Sequence, residues 1–269
     1  MEALNEVVPG NYTDLQAAKP YTEFGQINVL NNIGTSNYHG LQAKWERRFS
    51  QGLSFMASYA FSKHLGNLLP NEEYEQLQPF TPPGYLRGRT GYDRTHNLFV
   101  NAVYEVPFGR DRAWGKELHP VADAILGGWQ VSLINSFISG APLSITVPGA
   151  TLGNGWNTRA HTVGDPELTD PGPAAWFNSG AFVAPPRLAY GSSGLGIIEG
   201  PGRHILDFGL MKSFRWSEAR YVQFRWEMYN AFNHVNYNNP GTTLGTSSFG
   251  RILSAQSART MQLGLKIVF

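Results

Sequence analysis

Along much of the chain, apolar side chains recur at every second position, the period of a β-strand with one greasy face. From the C-terminus backwards Phe269, Ile267, Leu265, Leu263 and Met261 fall on one side, with Val268, Lys266, Gly264, Gln262 and Thr260 on the other. Residues 37–49 place Leu41, Ala43, Trp45 and Phe49 opposite Gln42, Lys44, Glu46 and Arg48. Residues 53–63 place Leu53, Phe55, Ala57, Tyr59 and Phe61 opposite Ser54, Ser58, Ala60 and Ser62. Only Ser50, Gln51 and Gly52 separate these two runs, so they read as a hairpin with a three-residue loop. Further runs cover 94–106, 129–147 (bent at SGAP, 139–142), 204–214 and 221–232, where Phe224 and Trp226 oppose Gln223, Arg225 and Glu227. A weaker run at 23–30 brings the expectation to about eight strands, and a short helical turn is expected near 118–126.

The links between runs alternate in length. Those at 50–52 and 215–219 are short, whereas those at 64–93, 148–203 and 234–258 are long. The link at 107–126 falls on the short side yet spans about twenty residues. Transmembrane barrels have this asymmetry, with tight turns on the periplasmic rim and extended loops outside. By parity, a strand ending at Phe269 puts the three long links outside the cell. A soluble sandwich would equally satisfy the charged faces, as solvent surface in place of a wet lumen. The many large aromatics on the apolar side, several near strand ends, favour the barrel, whose interfaces carry aromatic girdles.

Composition removes other classes. A chain of 269 residues, 42% hydrophobic and 15% charged, has the makings of a folded domain, and its net charge of +1 offers no basic field for nucleic acid. Gly 30 and Pro 17 fit a strand-and-loop protein. The absence of cysteine excludes disulfides, thiol nucleophiles and cysteine-ligated metals. The first residues lack the features of an export signal, and no apolar run is long enough for a membrane helix. GLGIIEG at 194–200 departs from G-x-G-x-x-G by one residue and follows no strand pattern, so it reads as loop. The histidines at 39, 64, 96, 119, 161, 204 and 234 have no zinc spacing, and no nucleophile elbow occurs. Acids at Glu72, Glu73 and Glu75, and at Asp165, Glu167 and Asp170, read as solvated loop residues before calcium ligands. No catalytic residue, metal site or cofactor is expected.

Several segments resemble the Oar-like TonB-dependent receptors. They are NIGTSNYHGLQAKWERRFSQGLSFMASYAFSKHLGN (32–67), YDRTHNLFVNAVYEVPFG (92–109), GGWQVS (127–132) with SGAP, and FRWEMYNAFNHVNYNNPGTTLG (224–245) with FGRI (249–252). The resemblance implies an all-β, antiparallel, up-and-down segment of an outer-membrane barrel of about 22 strands in a Gram-negative type bacterium. It also implies that Met261, Leu263, Leu265, Ile267 and Phe269 form a C-terminal signal for the barrel-assembly machinery. On this reading residues 1–22 are an irregular, truncated start and 23–269 the C-terminal barrel portion. The plug, the other strands and the segment that contacts TonB would belong to a longer parent, in which uptake is energy-coupled. Trp45, Phe55, Tyr59, Phe224, Trp226, Leu263, Leu265 and Ile267 would then face outer-membrane lipid, and Gln42, Lys44, Glu46, Gln223, Arg225 and Glu227 the lumen. The expected partners are thus lipid, the assembly machinery and the parent's remaining parts. Two alternatives stand beside this: a soluble β-sandwich that binds carbohydrate, and a self-sufficient eight-stranded barrel.

Overall fold

The computed structural model describes residues 2–3, 5–25, 27–29, 34–67, 84–110, 112–148, 152–153, 158–215 and 220–269. Seven long strands dominate: β1 (Ser36–Ser50), β2 (Leu53–Gly66), β3 (His96–Glu105), β4 (Trp129–Ile138), β5 (Arg203–Arg215), β6 (Tyr221–Tyr229) and β7 (Thr260–Val268). Each pairs antiparallel with the next in sequence, and the two-residue strand Gly88–Arg89 joins the end of β2 to complete an eight-stranded sheet. This is an up-and-down meander, in which every strand is made adjacent to its neighbour by local chain reversal. Among the described residues the outer edges of β1 and β7 have no partner strand, so the sheet is open.

Two expectations about this sheet need correction. The first turn is tighter than the spacing suggested: Ser50 pairs with Leu53, leaving a two-residue turn at Gln51 and Gly52, both at positive φ (53° and 81°). Such a turn matches the twist of a hairpin, and a register shift between Arg47 and Ser50 absorbs the extra residue. The run at 23–30 is not a strand of the sheet. Among its described residues only Asn28–Val29 is strand, and it pairs with Glu2–Ala3. Just before it the buried Asn5 side chain donates to the carbonyls of Tyr21 (3.0 Å), Phe24 (2.9 Å) and Gly25 (2.6 Å) and accepts from Tyr21 N–H. These backbone groups are satisfied by a side chain, which removes the demand for a ladder partner.

The 129–147 run divides at its Ser-Gly-Ala-Pro bend into β4 and the short strand Pro142–Leu143. The expected helical turn is α1 (Pro120–Leu126), with proline at its start and the His119 ring accepting from Val121 N–H at 3.4 Å.

The compact apolar core lies outside the main sheet. Ile145, Val147, Ala160, Phe177, Ala181, Phe182 and Ile198 are buried together, with Phe249 and Leu244 packed against them. These residues belong to the connections β4–β5 and β6–β7, so the long links condense into a cap at one end of the sheet. Short strand pairs, His161–Thr162 with Phe182–Val183 and Pro142–Leu143 with Ile198–Glu199, order it internally. The GLGIIEG segment is part of this cap, with Leu195 and Ile198 buried, which explains why its glycines serve packing and no phosphate loop forms.

Candidate functional site

Directly paired residues of an antiparallel ladder share a face, so the register assigns every strand residue to one side. Trp45 pairs with Ala57, Ala57 with Val100, Val100 with Asn135, Asn135 with Leu206; further along, Leu210 pairs with Trp226 and Trp226 with Leu263. Trp45, Phe55, Tyr59, Phe224, Trp226, Leu263, Leu265 and Ile267 therefore lie on a single face of the whole sheet. Gln42, Lys44, Glu46, Gln223, Arg225 and Glu227 lie on the other. Met261, Leu263, Leu265 and Ile267 continue the apolar face to the edge strand, and Phe269 follows them at the end of the chain.

The apolar face is uncovered. Trp45 is 70% exposed, Leu263 70% and Leu265 67%, and Leu41 and Ile267 are exposed as well. Among the described residues no second sheet packs on it, and in water about 25 cal/mol per Å² of apolar surface would be forfeited over several strands. Only local contacts relieve it, such as the edge-to-face pair of Trp45 and Phe55 at 4.7 Å.

Ionisable groups on this face stand at its ends. On β1 they are His39 and Arg47, and on β5 His204 and Lys212, in both cases eight residues apart. Eight residues span about 26 Å along a strand and, at the tilt usual in barrels, about 20 Å across a membrane, close to the height of a lipid-facing band. Aromatics and histidines mark the cap-side border, where Tyr59 Oη lies 2.8 Å from His96 Nδ1 and His204 Nε2 2.8 Å from Asn135 Oδ1.

The opposite face is polar and cross-linked. Lys44 and Glu46 are 2.7 Å apart, Arg225 Nε donates to Gln223 Oε1 at 2.7 Å, Gln223 donates to Ser213 at 3.4 Å and Gln262 donates to Glu227. The ion pair is half exposed and contributes at most ~1 kcal/mol, so this face owes its character to wetting and not to stability. A lumen wall is built in this manner.

The cap is fastened to the sheet by residues for which the strand pattern gave no signal. Asp93, with none of its surface exposed, accepts from His64 N–H at 2.6 Å and from Arg89 Nε at 2.6 Å, and Arg89 reaches Glu199 at 3.0 Å. Burial alone would lower the Arg89 guanidinium, but its hydrogen bonds and charge contacts with Asp93 and Glu199 outweigh this and raise it. Arg159 lies over the Tyr85 ring at 3.8 Å and donates to Ser193 O at 2.9 Å; burial lowers its pKa. These contacts unite three connections: 67–95, 139–202 and, through Phe249, 230–259. Asp93 belongs to the YDRTHN stretch, so the signal was a motif with no periodic meaning.

Of the two acid groups in the sequence, Glu72, Glu73 and Glu75 lie outside the described residues. Asp165 caps its own turn by accepting from Glu167 N–H at 3.0 Å, and the described residues hold no group of three potential metal ligands.

A two-faced meander, with an uncovered apolar band about one membrane tall and a polar reverse, has the form of a barrel wall. A family model described as an outer membrane beta barrel domain matches residues 1–262. The chain belongs to that family. Searches of curated proteins and of solved structures gave no match. As an outer-membrane barrel domain, the chain has its place in the outer membrane.

Proposed function

We propose that this domain is a wall segment of a TonB-dependent transporter of the Oar-like kind, contributing lumen and external cap to energy-coupled uptake in a longer parent and catalysing no reaction itself. The observation that carries this reading is the open sheet. Its polar face offers serines, glutamines, the ion pair Lys44–Glu46 and the charged side chains Arg225 and Glu227, which suit the wall of a wide, wet lumen better than the interior of an eight-stranded barrel, normally filled by side chains. Unpaired edges in lipid cost several kcal/mol per group, so β1 and β7 call for neighbouring strands. The resemblance of residues 32–67, 92–109 and 224–252 to the Oar-like receptors supports parent strands and a plug as those neighbours.

The test is an outer-membrane preparation from the native cells probed with an antibody to the folded cap, followed by capture on the periplasmic domain of TonB. A polypeptide far larger than 29.8 kDa that is retained by TonB is expected. A heat-modifiable band at the size of this chain, without TonB retention, would overturn the reading in favour of a self-sufficient small barrel.

A further inference from the structure

At the end of the sheet opposite the cap, a cavity of about 660 Å³ opens between α1, the start of β4 and the end of β5. Four cations line it, Arg110, Arg112, Lys212 and Arg215, against two carboxylates, Glu105 and Asp123. Both carboxylates are engaged: Glu105 pairs with Arg112 at 2.6 Å, and Asp123 Oδ1 accepts from Arg110 N–H at 2.8 Å. Among the described residues, Arg110 and Arg215 have no carboxylate partner; Arg110 Nε donates to Leu118 O at 3.0 Å and Arg215 lies 5.1 Å from the Tyr221 ring. Lys212 is only 3% exposed, donates to Gly127 O and sits between the rings of Phe214 (4.9 Å) and Trp129 (5.5 Å).

The apolar surroundings say what kind of anion fits. Trp129 and Phe214 belong at once to the cavity and to the uncovered apolar face, and the Trp129 indole is held in place by its bond to Ile125 O at 2.9 Å. Beside them α1 leaves Val121, Ile125 and Leu126 exposed. Arg215 lines the cavity from the polar face, with Glu105, Gln130, Ser213 and Gln223, and Lys212 from the apolar face, so the cavity straddles the end of the sheet and a ligand here would meet polar and cationic groups on one side and the greasy rim of the apolar face on the other. That is the demand of an amphiphile with a charged head, and cations at a membrane surface attract anionic headgroups.

We propose that this cavity holds the phosphate of an anionic phospholipid headgroup, gripped by Arg110, Lys212 and Arg215, with the acyl chains lying along Trp129 and Phe214. The proposal rests on the reading of the apolar face as lipid-facing. Arginine supplies forked donors for phosphate oxygens, and the buried Lys212 supplies a fixed charge whose ammonium has donors to spare.

The test uses the full chain in neutral-detergent micelles with phosphatidylglycerol or phosphatidylcholine, counting retained lipid by native mass spectrometry. Phosphatidylglycerol should be retained preferentially, and the exposed double variant Arg110→Gln/Arg215→Gln should lose about tenfold of that preference, while Lys44→Gln on the polar face of β1 loses none. Equal retention of the two lipids, or full preference in the double variant, overturns the proposal; so does displacement of phosphatidylglycerol by millimolar inorganic phosphate, which would mark a site for free phosphate. Quenching of Trp45 and Trp226 emission by a brominated detergent reads the lipid-facing assignment separately. Without quenching that assignment fails and the proposal with it, whereas quenching without headgroup preference overturns the proposal alone.

Discussion

Leu263 and Gln223 occupy adjoining strands on opposite faces, and the difference between their surroundings is the sharpest available measure of what each face meets. In the complete barrel, Leu263→Arg should destabilise by ~2–4 kcal/mol if it lies near the bilayer midplane, and Gln223→Arg by much less. Denaturant titration in vesicles gives both values, and equal costs would reject the assignment of faces. Asp93 is a different case, because its carboxylate holds a backbone N–H and a guanidinium that no water reaches easily. Asp93→Ala should cost about 2–3 kcal/mol through the donors left behind, seen as faster proteolysis between residues 84 and 95. Arg89, still bonded to Glu199, keeps the loss from being larger.

At the scale of elements, the first hairpin depends on one position. A Cβ on Gly52 would stand 2.8 Å from Glu105 O, at a φ of 81° that β-branched residues resist. Gly52→Val should therefore destabilise by about 2 kcal/mol and slow acquisition of the heat-resistant form on gels, whereas Gln51→Asn should be neutral. The strands themselves were legible because a buried-or-lipid face imposes period two, and β1, β2, β5, β6 and β7 all lie within a few residues of their expected bounds. The 23–30 run misled for a definite reason: its neighbours Tyr21–Gly25 are held by Asn5, and alternation in sequence carries no information about such a side-chain clasp. Lys212 was visible as the lone cation among Leu206, Phe208, Leu210 and Phe214, but its bond to Gly127 depends on α1 and the β4 entry meeting β5. The cap was illegible for the same cause. Ile145, Phe177, Phe182 and Phe249 sit in irregular chain far apart in sequence, where no repeat announces a core.

For the whole molecule, parity makes a statement about topology that the native chain is well suited to test, since it holds no cysteine. Single cysteines at Thr246 or Val183, both exposed in the cap, should react with an impermeant maleimide on intact cells, and one at Lys116 on the opposite rim should react only after the outer membrane is opened. Reaction of the Lys116 position on intact cells would mean that a strand has been miscounted. The sheet also divides the molecule's stability unevenly. Among the described residues its wide faces lack an internal core, while the cap carries its own buried phenylalanines, each contributing about 1.5–3 kcal/mol.

That separate core changes how the outward end would look to an immune system or a phage. Ile145, Phe177 and Phe249 bring together stretches about a hundred residues apart, so the surface over them is a patchwork of segments and no single peptide reproduces it. Antibodies raised against the folded protein should bind cells and lose recognition when the antigen is denatured, while antisera to synthetic loop peptides should behave in the opposite way. Enzyme-linked assay of both sera on native and heat-denatured protein reads this directly. Variation at such a surface could accumulate residue by residue between the phenylalanines, leaving their packing untouched: a changeable coat on an unchanging frame.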